Sequence, residues 1–145
     1  MPTQSLMNGY ENCMLCGRAC GVNRNHGEIG FCNSTNVARI SRAALHMWEE
    51  PPISGTKGSG TIFFTGCSLS CVFCQNRQIS DPKKIVESAY RTVDSTELAE
   101  IMLKLQKDGA HNINFVTPTH YAPTVVDSVI IARKIFVIDF VIALA

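Results

Sequence analysis

Three cysteines stand within one short run, Gly66-Cys67-Ser68-Leu69-Ser70-Cys71-Val72-Phe73-Cys74, spaced C-x3-C-x2-C. Three thiolates on so short a loop converge on one site, and no fourth cysteine lies beside them to close it. Four would saturate a tetrahedral zinc or a cubane iron–sulfur cluster. Three leave one metal corner open to an exogenous ligand, the mark of a reactive rather than a structural metal site. Phe73, between the last two cysteines, can shield the site and offer an apolar wall to a flat ring. The competing account is a zinc knuckle borrowing a histidine. Its nearest candidate, His46, lies across the break made by Pro51 and Pro52.

The other four cysteines, Cys13, Cys16, Cys20 and Cys32, read C-x2-C-x3-C-x11-C. Four thiolates suggest a closed site, structural or electron-relaying, and zinc and an auxiliary iron–sulfur cluster both fit. His26 could replace one cysteine, and free thiols are the remaining alternative. Seven cysteines in two tight groups make a poor disulfide framework, because one is always left over. The first residues carry neither a basic region nor an apolar run, so no secretory signal is read there. Clustered thiols without an export signal fit metal ligands in a reducing cytoplasm.

Positioning these loops falls to an α/β pattern. Thr61-Ile62-Phe63-Phe64-Thr65 is β-branched and aromatic on both faces, as in a buried strand of a parallel sheet. The cysteine loop follows at its carboxyl end, where ligands bind in such sheets. Asp94 or Ser95 caps a helix, with Glu97 completing a capping box, apolar Leu98, Ile101, Met102 and Leu105 at helical spacing, and Gly109 as the stop. Ile113-Asn114-Phe115-Val116 reads as a second strand, Pro123 opens a second helix to about Lys134, and residues 136–144 read as a third strand. The expected fold is α/β with parallel strands. Residues 1–54 are expected to form a cysteine-rich, loop-rich module and a connector, in which Pro51 and Pro52 hold the chain extended. Residues 55–145 are then the core. The chain is still apolar at Ile142-Ala143-Leu144-Ala145, so a longer protein and an associating edge strand are expected.

Composition narrows the field. Hydrophobic residues make up 46% and charged residues 17%, which excludes disorder, and the formal charge of +1 argues against nucleic acid or an anionic membrane as partner. Between residues 125 and 145 the apolar stretch is broken by Asp127, Arg133, Lys134 and Asp139, too often for a membrane span. Gly55, Gly58 and Gly60 lack the Lys-Ser/Thr ending of a phosphate loop. Arg18, Arg24, Arg39, Arg42, Arg77 and Arg91 read as solvated surface, and Glu49 and Glu50 as a solvated turn.

The C-x3-C-x-aromatic-C loop after a buried strand resembles that of the radical S-adenosylmethionine superfamily. Three neighbouring stretches resemble its pyruvate formate-lyase activating enzyme-like branch: Ala44-Leu45-His46-Met47-Trp48-Glu49-Glu50-Pro51-Pro52-Ile53-Ser54-Gly55-Thr56, Gly58-Ser59-Gly60-Thr61-Ile62-Phe63-Phe64 and Asn112-Ile113-Asn114-Phe115-Val116-Thr117-Pro118-Thr119-His120-Tyr121. The resemblance implies a partial radical-SAM (βα) barrel. It implies that Cys67, Cys71 and Cys74 hold a 4Fe–4S cluster whose fourth iron takes S-adenosylmethionine. Reductive cleavage then gives a 5′-deoxyadenosyl radical that abstracts hydrogen from substrate, which in activating enzymes is a glycine of a glycyl-radical protein. The electron would come from a flavodoxin- or ferredoxin-type donor. Where the superfamily has a Gly-Gly-Glu-like segment receiving the methionyl amino group, this chain has Thr117-Pro118-Thr119, whose hydroxyls and strand-end carbonyls would take that role. His120 and Tyr121 stand at the same edge and read as a packed pair. The alternative function is a non-catalytic, zinc- or cluster-binding cysteine-rich module for protein interaction, or an inactive truncated product.

Overall fold

The computed structural model describes residues 8–48, 50–135 and 139–143. Glu49, Leu144, Ala145 and the 136–138 start of the expected third strand lie outside the described residues. Among the described residues there are five strands: β1 (Ala38–His46), β2 (Ser59–Phe64), β3 (Arg91–Val93), β4 (Asn112–Val116) and β5 (Asp139–Ala143). Two full helices, α3 (Ser95–Lys107) and α4 (Ala122–Ala132), follow the one-turn helices α1 (Pro51–Ser54) and α2 (Arg77–Ser80).

The strands form one open sheet in the order β3-β1-β2-β4-β5. Neighbours β2–β4 and β4–β5 are parallel, whereas β1 runs antiparallel to both β2 and β3. The expected partial radical-SAM barrel of parallel strands is therefore not what forms. The sheet is mixed and unclosed, with β3 at one edge and β5 at the other. Within residues 1–54, β1 pairs along β2 from Ile40 to His46. A boundary at residue 54 falls between two hydrogen-bonded strands. Pro51 and Pro52 open a helical turn rather than hold the chain extended, because their fixed φ suits the first helical positions, where no N–H is needed.

Local chemistry explains the regular half. Asp94 accepts from the backbone N–H groups of Thr96 and Glu97 at 2.8 Å, and Glu97 accepts from the Asp94 N–H at 2.8 Å. This reciprocal cap satisfies N–H groups that the first turn of α3 leaves open, worth about 1 kcal/mol. Leu98, Ala99, Met102 and Leu105 then turn one face of α3 into the core beside Ile62, Phe64, Ile113 and Phe115. Gly60 allows that approach, since a β-carbon there would lie 2.8 Å from Ile113 Cδ1 and 3.1 Å from Leu105 Cβ. Among the described residues no helix is long and apolar enough to cross a membrane.

The amino-terminal segment is tied to the carboxyl ends of β2 and β4. Tyr10 and Thr124 share a hydrogen bond of 2.8 Å. Arg24, fully buried, donates to the carbonyls of His120 and Thr35, each at 2.5 Å, with its guanidinium 4.6 Å from the Tyr10 ring centroid. The sequence reading of Arg24 as solvated surface is overturned. Carbonyls and aromatic faces hold its charge, so no carboxylate pattern gives it away. Arg39 is likewise half-buried, donating to Asn33 O, Ser34 Oγ and Tyr121 Oη.

Candidate functional site

β2 delivers Thr65 and Gly66 to the start of the cysteine loop. Gly66 has φ +82°, and a β-carbon there would meet the Cys32 carbonyl oxygen at 2.6 Å and the Ser34 hydroxyl at 2.9 Å. Only glycine lets the two cysteine segments approach so closely. From there Cys67, Cys71 and Cys74 line one cavity of about 40 Å³. Phe64, Asn76, Ile79, Ser80, Val116 and Thr117 complete its wall. The cavity thus sits at the carboxyl ends of the adjacent parallel strands β2 and β4, where the sequence reading placed it.

Cys67 is buried, Cys71 and Cys74 are half-buried, and all seven cysteines are unpaired. The Leu69 N–H points at Cys67 Sγ at 3.4 Å, and Cys74 Sγ lies 3.3 Å from Ser80 Oγ. Such contacts stabilise thiolate sulfur and tune a bound cluster. As the side chains stand, no three His, Cys, Asp or Glu groups among the described residues grip a single metal ion. The donor set nonetheless fits an iron–sulfur cluster: three thiols face one cavity, two of them already receive polar contacts, and no acidic or basic side chain lines it. A cluster needs more room than the cavity shows, and the outer loop can yield it, because Leu69, Val72 and Phe73 are exposed and unpacked.

Thr117 lines the cavity with φ +58°, a conformation that a β-branched residue adopts only under constraint. Among the described residues, the other non-glycine positions with positive φ are Ala19, Asn33 and Ser70, each next to a cysteine. Backbone strain is therefore concentrated at the cysteine loops. Thr119, the other threonine expected at the site, opens the 3₁₀ turn Thr119–Tyr121 and lies outside the cavity wall. Phe73 is 84% exposed, so the shielding wall expected of it is not formed.

The amino-terminal cysteines are spread over one folded loop. The Cys13 N–H donates to Val22 O at 3.1 Å and the Gly21 N–H returns to Cys13 O at 3.0 Å. Cys13 and Cys32 are buried, Cys16 is half-buried and Cys20 is exposed. Arg24 Nη1 lies 3.7 Å from Cys13 Sγ, and the Phe31 N–H 3.5 Å from Cys20 Sγ. His26 is exposed in the 3₁₀ turn Arg24–His26, and His46 ends β1 opposite Ser59. Neither takes part in the cysteine cavity.

Arg18 is the residue that sequence reasoning missed most clearly. It donates to the carbonyls of Ser68 at 2.8 Å and Leu69 at 3.3 Å while its guanidinium lies 3.7 Å from the Phe31 ring centroid. It thereby fastens the second cysteine loop to the first. His120 and Tyr121 are the packed pair expected, with ring centroids 4.2 Å apart. His120 Nε2 donates to Thr65 O at 2.8 Å, while its buried Nδ1 finds no partner. Burial pushes the His120 pKa down to about 4, the neighbouring Arg24 and Arg39 push the same way, and the bond to Thr65 only partly opposes them. The ring is neutral and holds the strand end from which the cysteine loop departs.

No family model matches the chain, and no solved structure does. The chain is similar to two uncharacterized proteins of Methanocaldococcus jannaschii. One is 38% identical over 111 residues, covering 75% of this chain and 31% of the relative. The other is 27% identical over 137 residues, covering 84% of this chain and 39% of the relative. The chain thus spans between about a third and two fifths of the length of the curated relatives it matches.

Proposed function

We propose that Cys67, Cys71 and Cys74 hold a 4Fe–4S cluster with one open iron, and that the chain belongs to a radical S-adenosylmethionine oxidoreductase of the activating-enzyme type. The observation that carries this reading is the shared cavity: three free thiols and Thr117 face one space at the carboxyl ends of β2 and β4. When bound, such a cluster supplies one-electron reductive cleavage of S-adenosylmethionine.

The chain's own residues do the positioning. Cys67, set on the rigid end of β2, fixes one corner, while Cys71 and Cys74 ride on an exposed loop able to close around the group. Thr117 and the freed carbonyls at the end of β4 accept hydrogen bonds from the methionyl amino group. Arg18 anchors the loop by its backbone without adding charge to the cavity. Cys13, Cys16, Cys20 and Cys32 hold a second metal, zinc or an auxiliary cluster, against the same loop. A flavodoxin- or ferredoxin-type partner supplies the electron, the hydrogen donor is a glycyl-radical protein, and a reducing cytoplasm keeps the thiols free.

The test is an anaerobic assay with dithionite and S-adenosylmethionine, reading 5′-deoxyadenosine, of iron- and sulfide-reconstituted protein extended to the length of the curated relatives, beside this chain alone, from which little turnover is expected. Formation of the nucleoside, lost in Cys71→Ala and retained in Cys16→Ala, is the expected result. An extended protein that loads its cluster and binds S-adenosylmethionine without cleaving it contradicts the oxidoreductase reading.

A further inference from the structure

A second site lies along the edge of the sheet and does not depend on the cysteines. β1 is nine residues long, but β3 covers only Ala38, Arg39 and Ile40 of its outer side. Residues 42–46 pair with β2 on the inner side, Ser41 sits at a bulge, and residues 41–46 pair with no strand among the described residues on the outer side. About 20 Å of strand edge at 3.3 Å per residue therefore presents unused backbone donors and acceptors.

Just before β3 begins, the segment 88–90 approaches the sheet and leaves a groove of about 440 Å³ between itself and the start of this edge. Ser41, Arg42, Tyr90 and Arg91 line it. A second groove of about 310 Å³ shares Ser41, Arg42 and Ala89 with the first and runs on to Asn76 and Ile79. Those last two residues also line the cysteine cavity. Neither groove is lined by an acidic side chain, and Arg42 and Arg91 are both exposed. Glu87, just beyond the first groove, is outside its wall.

We propose that this edge is a docking site for an extended, acidic segment of a partner polypeptide, which adds to β1 as a strand outside residues 41–46. Backbone hydrogen bonds supply affinity in this mode, and side chains at alternate positions supply selection. Arg42 and Arg91 select carboxylates. A second copy of this chain would present the same positive edge and no carboxylate in these grooves, so the charge favours an acidic occupant over self-pairing. The grooves lead the bound segment toward the cysteine cavity.

The experiment uses the whole chain without added metal and two labelled probe peptides, one alternating glutamate with valine and one alternating lysine with valine. Fluorescence anisotropy is expected to show the acidic peptide binding at least tenfold tighter. Hydrogen exchange is expected to slow within residues 41–46 when it binds. The double variant Arg42→Glu with Arg91→Glu is expected to reverse the preference in favour of the lysine peptide, which shows at once that the variant is folded. Equal binding of both peptides, no binding of either, or protection confined to other residues would overturn the proposal. So would protection of 41–46 that rises with protein concentration alone, which would assign the edge to a second copy.

Discussion

His120 gives the protein a stability that depends on pH in a predictable direction. Its ring is 1% exposed and neutral, with a pKa pushed from 6.5 to about 4. In the unfolded chain the same ring takes up a proton as the pH falls through about 6.5. Between these values the unfolded state binds more protons than the folded one, so stability falls as the pH falls. The contribution is fully present above pH 6.5 and is lost by about pH 4. A shift of about 2.5 units at 1.36 kcal/mol per unit comes to about 3 kcal/mol. The perturbation is His120→Gln, whose amide can still donate to the Thr65 carbonyl but does not titrate. Urea unfolding followed by circular dichroism at pH values from 7.5 to 4.5 measures both chains. The variant is expected to be less stable at pH 7.5, with its deficit shrinking by about 2 to 3 kcal/mol at pH 4.5. Carboxylates titrate alike in both chains and cancel in the comparison. Two stability curves running parallel across the whole range would refute the reasoning.

Three further substitutions test how the site is held. Gly66→Ala places a methyl group 2.6 Å from the Cys32 carbonyl at φ +82° and is expected to cost at least about 2 kcal/mol in urea unfolding. Arg24→Ala leaves one buried and one part-buried carbonyl without their donor and is expected to cost about 3 kcal/mol, with Arg24→Lys recovering only part of it. Ser70→Gly relieves a φ of +60° on an exposed residue and is expected to raise the thermal midpoint, by an amount equivalent to about 0.5 to 1 kcal/mol.

The parallel half of the sheet was legible because its residues carry one consistent signal. Thr61-Ile62-Phe63-Phe64 and Ile113-Asn114-Phe115-Val116 are short and mostly apolar, and the Asp94–Glu97 box fixes the start of α3 to the residue. β1 was not legible. Its run Ala-Arg-Ile-Ser-Arg-Ala-Ala-Leu-His is rich in alanine and arginine, and its outer residues are half-buried rather than cleanly alternating. β-propensity is weak there, and pairing with β2 decides the outcome. That antiparallel strand is what makes the sheet mixed rather than all-parallel. The cysteines that line the cavity were singled out by their spacing after a predicted strand, and Thr117 only by the family resemblance. Asn76, Ser80 and Arg18 were not, since their contacts depend on where α2 and the amino-terminal loop come to rest. Arg18 reaches a carbonyl 50 residues away, a distance over which no local pattern speaks.

The central claim is that Cys67, Cys71 and Cys74, and not the amino-terminal cysteines, carry an open-cornered cluster. Anaerobic reconstitution with iron and sulfide, followed by iron analysis and visible absorbance of the wild-type chain and of single Cys→Ala variants, tests it most directly. The account predicts a brown protein with about four iron atoms at this site. Cys67→Ala, Cys71→Ala and Cys74→Ala are each expected to lose that cluster, while Cys13→Ala and Cys16→Ala keep its spectrum. A colourless protein retaining only zinc, or equal loss from both groups of variants, would contradict it.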